Sequence, residues 1–160
     1  NTSGPEAAKG KSETQEKYRS YFQLLIDELR EKFKFTNART GQPQNWYTFA
    51  SDNSKVYKFG TSFTTGGKLR VEIYIDCGDK AKNEQIFDKL LSQKDEIQTR
   101  IGQELIWERL DNRRACRVAI YRDGEIDAET EVLGEIRQWA IQGLLKFKDV
   151  FPTFIQSALG

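Results

Sequence analysis

Two acidic residues and one lysine, spread over neighbouring predicted strands, are suited to metal-dependent cleavage of phosphate esters. Asp52 follows the first predicted strand, Lys58 lies on the second, and Glu72 lies on the third. Paired carboxylates hold a divalent metal ion, and a lysine stabilises the negative charge that develops at the phosphate. A lysine two residues after Glu72 would strengthen this pattern, but Tyr74 occupies that position. We therefore keep a metal-dependent nuclease as an alternative and predict no catalytic residue and no metal ligand.

A group of cationic residues offers a second kind of chemistry, the binding of phosphate groups. The group consists of Lys68, Arg70, Arg113, Arg114 and Arg117. If their strands are sheet neighbours, these charges meet on one face beside three aromatic residues, Tyr74, Trp107 and Tyr121. Cations contact phosphates and aromatic rings stack on bases, so the group predicts a nucleic-acid-binding surface. The alternative is that the turn arginines are solvated and that the rings of Trp107 and Tyr121 pack in the core.

The composition excludes several classes of activity. The 160 residues include 25 Lys and Arg against 24 Asp and Glu, which gives a net charge of +1. This charge is too small to attract the domain as a whole to nucleic acid by long-range electrostatics. The absence of His excludes a histidine general base, a Ser-His-Asp nucleophile and a His-ligated zinc site. Because Met is also absent, we interpret the sequence as processed or as a piece of a longer chain.

The two cysteines, Cys77 and Cys116, are too few for a disulfide framework or an all-cysteine zinc site. We expect both to be reduced core thiols. No run reaches the roughly 18 apolar residues that span a bilayer, and no signal-peptide pattern opens the chain. We therefore expect a cytoplasmic protein that has no cofactor and no membrane contact.

The elements that must position these residues follow from hydrophobic periodicity. Residues 1–12 are small and polar, which predicts a flexible linker, and apolar steps of three and four then predict a helix from Glu13. Alternating or aromatic runs predict three strands, at 46–50, 56–63 and 69–75. Gly66 and Gly67 favour a tight turn between the second and third strands, because glycine tolerates positive φ.

The second half of the chain predicts a helix after Asp79, two strands and a helical end. The strands are expected at 105–110 and 116–121, and a long helix runs from Val132 to Phe147. Asp149 is suited to cap a short fourth helix. The apolar residues of that segment either close the core or form a subunit interface: Val150, Phe151, Phe154, Ile155 and Leu159.

These elements predict a single α+β domain over residues 13–160. We expect a mostly antiparallel sheet of about five strands with helices packed on it, in the order α-β-β-β-α-β-β-α-α. The helix, three-strand, helix, strand order is also that of restriction-endonuclease-like nucleases, which hold metal with an acid on one strand and Glu-x-Lys on the next. A degenerate core of that kind, without the chemistry, is therefore an alternative interpretation.

The central run DKLLSQKDEIQTRIGQELIWERLDNRRACRVAIYR resembles a prokaryotic domain-of-unknown-function family, DUF4268. The matching residues are Leu90, Lys94, Ile97, Gly102, Leu105, Trp107, Glu108 and Arg114, with Phe147, Phe151 and Phe154 in the tail. Gln98 replaces the acid of the family pattern. The resemblance implies a C-terminal module of longer proteins, often beside nuclease-like or defence modules. It implies no catalytic residue.

Together these observations predict a non-enzymatic accessory module of a larger prokaryotic DNA-processing or phage-defence protein. The expected partners are DNA or RNA, bound by the cationic group, and other domains of the parent chain. One alternative is an interaction domain that forms a homodimer through its C-terminal helices. The other is the metal-dependent nuclease.

Overall fold

Five strands form one antiparallel sheet in the described part of the chain. The computed structural model describes residues 5–160, with side chains from residue 10 onward. The strands are β1 (Trp46–Phe49), β2 (Tyr57–Thr64), β3 (Lys68–Ile75), β4 (Ile106–Glu108) and β5 (Cys116–Asp123). Their spatial order is β1-β2-β3-β5-β4, and every neighbouring pair is antiparallel. The predicted α+β class with a five-stranded antiparallel sheet is confirmed.

Four helices accompany the sheet in the described part of the chain. They are α1 (Pro5–Glu31), α2 (Lys80–Leu91), α3 (Lys94–Ile101) and α4 (Thr130–Leu159). The Asp79 side chain caps α2 by accepting a hydrogen bond from the backbone N–H of Lys82, and Gly102 ends α3 with a left-handed φ of 92°. Helix α1 begins before the predicted start at Glu13, and residues 1–4 of the predicted linker lie outside the described residues.

Two helix boundaries differ from the prediction. The predicted second helix is broken into α2 and α3, because the Ser92 hydroxyl donates to the Lys89 carbonyl and competes with the helical hydrogen bonds. The two predicted C-terminal helices are instead the single helix α4, which continues through Pro152. Proline interrupts a helix in isolation, but Phe151 and Ile155 on either side of it are both buried in the core.

The helices cover one face of the sheet and leave the other face open. On β3 the residues Leu69, Val71, Ile73 and Ile75 are all fully buried against the helices, as their alternation predicts. Gly143 of α4 makes this close packing feasible, because a Cβ there would lie only 3.0 Å from the Ile120 side chain. The polar residues of the same strands therefore share the open face.

The apolar C-terminal residues mainly close the core. Val150, Phe151 and Ile155 are buried and Phe154 is partly buried, whereas Leu159 is 47% exposed. The sequence left open whether this segment closes the core or forms a subunit interface, and the structure favours core closure. Within residues 5–160, no helix combines the length and the apolar character needed to cross a membrane.

Candidate nucleic-acid interface

The open face of the sheet holds a groove between β1, β2 and β3. The groove has a volume of about 510 Å³ and is lined by Trp46, Lys58, Ser62, Arg70 and Tyr74, among others. Strand register places these side chains together, since Trp46 pairs with Ser62, Ser62 with Arg70, and Lys58 with Tyr74. Directly paired residues of antiparallel strands point to the same face. The groove thus combines two aromatic rings with two cations.

Trp46 is the most exposed aromatic residue of this face, with 48% of its surface accessible. It lies on β1, an edge strand, so its ring is reachable from the open face and from the side of the sheet. Sequence reasoning placed Trp46 in a short aromatic strand and did not assign it to a site. The β1–β2 register would have revealed it, because that register puts Trp46 on the face opposite Phe49, which is buried.

A largely buried ionic network lies beside the groove. The Glu72 carboxylate accepts a hydrogen bond from Nε of Arg117 at 2.7 Å, and Nε of Arg70 lies 3.5 Å from its other oxygen. Arg117 also reaches Glu108 at 3.4 Å, and the Tyr121 hydroxyl donates to the same Glu108 carboxylate. Burial alone would lower the pKa of Arg117, but the charges of the two glutamates raise it, so this guanidinium stays charged.

Arg70 is the least satisfied member of this network. Its Nε is buried and has no hydrogen-bond partner among the described residues, and its Nη2 makes only a long contact of 3.4 Å to the Ser62 hydroxyl. Glu72 balances the charge of Arg70 at 3.5 Å without a hydrogen bond, so a phosphate at the remaining N–H groups of the guanidinium would add hydrogen bonds that the described residues do not supply. Arg70 is therefore the cation of the groove best prepared to receive a phosphate.

The predicted cationic group is divided by the structure. Lys68, Arg70 and Arg117 share the open face, but Lys68 lies at the far end of β3, about 20 Å from the level of Tyr74. Arg113 and Arg114 lie in the turn before β5, at the opposite end of the sheet. The five cations therefore do not form the single patch that the sequence predicted.

Acidic partners also neutralise most of these charges. Lys68 pairs with Asp123, Arg114 forms a two-pronged pair with Asp76, and Arg117 is held by the network. The hydrogen bonds from Arg114 hold the pKa of Asp76 below its usual value. On the strands, four cations of the open face (Lys58, Lys68, Arg70 and Arg117) stand against three carboxylates (Glu72, Glu108 and Asp123). Binding through this face cannot depend on a strong field.

The three predicted aromatic residues are also separated by the sheet. Tyr74 and Tyr121 lie on the open face, where the guanidinium of Arg117 sits 5.9 Å from the centre of the Tyr74 ring. Trp107 lies on the helix-covered face, packs against Phe87 at 6.0 Å and donates to the Gln98 side chain. Of these three predicted aromatic residues, only the two tyrosines lie on the open face, together with Trp46.

The residues of the nuclease alternative do not converge. Asp52 lies in the turn after β1 and accepts a hydrogen bond from Tyr57, whose ring is buried under the helices. Glu72 lies on the open face, and both of its oxygens are occupied by arginines. Among the described residues, no group of three or more acidic or cysteine side chains is arranged to hold a metal ion. This geometry gives the alternative no support.

The two cysteines are free. Cys116 is fully buried in the core, and burial raises the pKa of its thiol to about 11. Cys77 lies just beyond β3 and is half-buried, so it is less protected than the predicted core thiol.

Comparison with known proteins identifies one family. The family model described as Domain of unknown function (DUF4268) matches residues 17–155, which is most of the 160-residue chain and includes the whole sheet. No curated protein and no solved structure matches the chain.

Proposed function

The chain belongs to the DUF4268 family, and from this premise we propose that it is a non-enzymatic accessory module of a larger prokaryotic DNA-processing or phage-defence protein. In that role it contacts single-stranded nucleic acid through the open face of its sheet. The observation that carries this proposal is the groove in which Trp46 and Tyr74 lie beside Lys58 and Arg70. Aromatic rings on an open sheet stack on unpaired bases, and the neighbouring cations contact the phosphates between them.

Charge and shape both favour a single strand over a duplex. Duplex binding depends on many phosphate contacts from an extended cationic surface. The pairing of Lys68 and Arg114 with carboxylates removes two of the cations that such a surface would need. Bases of a single strand are free to stack on the exposed ring of Trp46, and stacking contributes about 1–3 kcal/mol per base.

The test is fluorescence anisotropy with labelled 12-nucleotide DNA and RNA strands and the matching duplex, at two salt concentrations. We expect single strands to bind more tightly than the duplex. Each phosphate contact on a single strand contributes about −0.7 to the slope of log K against log salt, so contacts from Lys58 and Arg70 give a slope of about −1.4. Magnesium is included and the products are run on a gel, so that cleavage would be detected.

Three variants locate the binding surface. Trp46→Ala should weaken single-strand binding by about 5-fold to 150-fold, the equivalent of one stacked base. Lys58→Gln should make the salt slope less steep by about 0.7. Lys94→Gln is the matched control, because Lys94 is also an exposed lysine but lies at the start of α3, away from the open face.

Each outcome has a clear meaning. Absence of binding at low salt would overturn the proposal, and an equal effect of Lys94→Gln would reduce it to non-specific attraction. If the double variant Arg113→Glu, Arg114→Glu abolishes binding while Trp46→Ala does not, the interface is the turn before β5 and not the groove. Cleavage in magnesium would restore the nuclease. Concentration-dependent mass, measured in parallel, tests the homodimer.

A further inference from the structure

A second groove lies between helices α1 and α4. It has a volume of about 500 Å³, and its walls include the apolar residues Tyr21, Leu24 and Leu133. Leu24 is 54% exposed, although it faces this groove, so the apolar wall is open to solvent. Pockets of this size, apolar with a few polar groups, are typical of sites for small molecules.

The two helices run in the same direction along this groove. Lys17 pairs with Asp127 just before α4, and Glu28 accepts from Gln138 further along, so both contacts join residues 110 positions apart. The Arg137 side chain folds back along α4, with Nη2 3.9 Å from the point where a Cβ on Gly134 would lie. Arg137 and Tyr21 both line the groove between the two helices.

Two polar groups in this groove have no partner. Among residues 10–160, neither the Tyr21 hydroxyl nor Nε of Arg137 makes a hydrogen bond, and both atoms are buried. Tyr21 as a whole is only 3% exposed. Buried polar groups in native proteins are nearly always hydrogen-bonded, so two orphaned donors in one groove indicate a missing acceptor.

The charge around Tyr21 is positive. Tyr21 and Arg137 line the same groove, and although burial raises the pKa of Tyr21, the positive charges of Arg137 and Arg122 act in the opposite direction. In the described part of the chain, no carboxylate lies within 4.0 Å of either arginine. Their state contrasts with that of Arg117 on the open face, which pairs with both Glu72 and Glu108.

Acidic residues lie at the other end of the groove. Glu13 and Glu16 line it there, with Glu16 paired to Arg19 at 3.5 Å. Glu13 precedes Tyr21 by two helical turns, which is about 12 Å along α1. An anion would therefore be repelled from the Glu13 end and attracted to the Arg137 end, and the groove would hold it in one orientation.

We propose that the groove between α1 and α4 binds a small amphipathic carboxylate, with its acyl or aromatic body along Leu24 and Leu133 and its carboxylate on Arg137. Arg137 makes the first contact, because its side chain is only half-buried. The Tyr21 hydroxyl becomes the second donor once the side chains around it move apart. A small ligand suits this site better than a protein surface, since only a narrow group reaches a donor at that depth.

The test compares three probes that share one eight-carbon chain: octanoate, 1-octanol and octylammonium. Their binding to the whole chain is measured by calorimetry at neutral pH. We expect octanoate to bind at least about tenfold more tightly than the other two, which corresponds to about 1.4 kcal/mol for the charged hydrogen bonds. Equal binding of all three probes would mean that the groove is merely apolar, and a preference for octylammonium would mean that Glu13 and Glu16 dominate. Either result overturns the proposal.

Variants of the two donors assign the binding to this groove. Arg137→Gln should remove the preference for octanoate over 1-octanol, whereas Arg39→Gln, at an exposed loop arginine, should preserve it. If octanoate binds Arg137→Gln unchanged, its site lies elsewhere and the proposal fails. Without ligand, Tyr21→Phe should keep or raise the melting temperature, because the hydroxyl lacks a partner. A lower melting temperature would show that the hydroxyl is already hydrogen-bonded and would contradict the premise.

Discussion

Glu72→Gln tests whether one buried carboxylate both stabilises the sheet and restrains the arginines beside it. The side chains of Glu72 and Arg117 are 10% and 11% exposed, and the carboxylate also lies 3.5 Å from Arg70. Removing one partner of a buried ion pair costs about 3–5 kcal/mol. Glutamine keeps one acceptor oxygen for Arg117, so we expect a smaller loss, about 2–3 kcal/mol of unfolding free energy.

Chemical denaturation measures this loss directly, and thermal unfolding should show a fall in melting temperature of about 5–10 °C. Glu96→Gln is the matched control, because its carboxylate is 51% exposed and pairs with Arg100 on the surface of α3. Such an exposed pair contributes at most about 0.5 kcal/mol.

Although Glu72→Gln should lower stability, it should strengthen the binding of single-stranded nucleic acid. Without the Glu72 charge, Arg70 loses its carboxylate partner and Arg117 retains only Glu108. The open face then gains one net positive charge, so affinity for single-stranded DNA should rise about three- to tenfold, with a steeper dependence on salt. Unchanged stability would refute the buried network. Lower stability with unchanged or weaker binding would refute the assignment of the interface to this face.

Three further predictions concern the thiols, an acid-sensitive contact and a close approach of two segments. Because burial raises the pKa of Cys116 to about 11, an aromatic disulfide reagent at pH 8 should modify Cys77 rapidly and Cys116 only on unfolding. Arg114 lowers the pKa of Asp76, so the ionised carboxylate stabilises the fold at pH values above its unfolded pKa of about 3.9. This stabilisation is lost as the pH falls through the lower pKa of the folded state. Asp76→Asn should therefore flatten the pH dependence of unfolding below about pH 4. Gly41→Ala should cost about 2–3 kcal/mol in denaturant unfolding, because its Cβ would lie 2.5 Å from a backbone oxygen of α1.

Each of these has a control. Cys77→Ser should abolish the rapid reaction, and a remaining rapid phase would mean that Cys116 is accessible. For Asp76→Asn, an unchanged slope below pH 4 would show that other carboxylates govern acid unfolding. Gly10→Ala, within α1 itself and with no atom within 4 Å of its Cβ, should be neutral or stabilise by up to about 1 kcal/mol. Equal effects of the two glycine substitutions would argue against the close approach at Gly41.

The strands and their faces were predictable because side-chain alternation is a local property of the backbone. Leu69 and Val71 had to be buried together, and Arg70 and Glu72 had to share the other face. The amphipathic helices were predictable for the same reason. The continuity of α4 through Pro152 was not, because burial of Phe151 and Ile155 outweighs a local preference to end the helix.

The candidate site shows where local pattern stops being informative. Side-chain alternation assigns Arg117 to one face of the sheet. Its ion pair with Glu72, 45 positions away in the chain, exists only because β3 pairs with β5, and this pair neutralises the charge of Arg117. The same pairing order places Arg113 and Lys68 at opposite ends of the sheet. The sequence by itself therefore determined which side chains share a face, because that follows from a two-residue period. Which cations remain free for a ligand was decided by the tertiary structure, because ion pairs depend on strands that are distant in the chain.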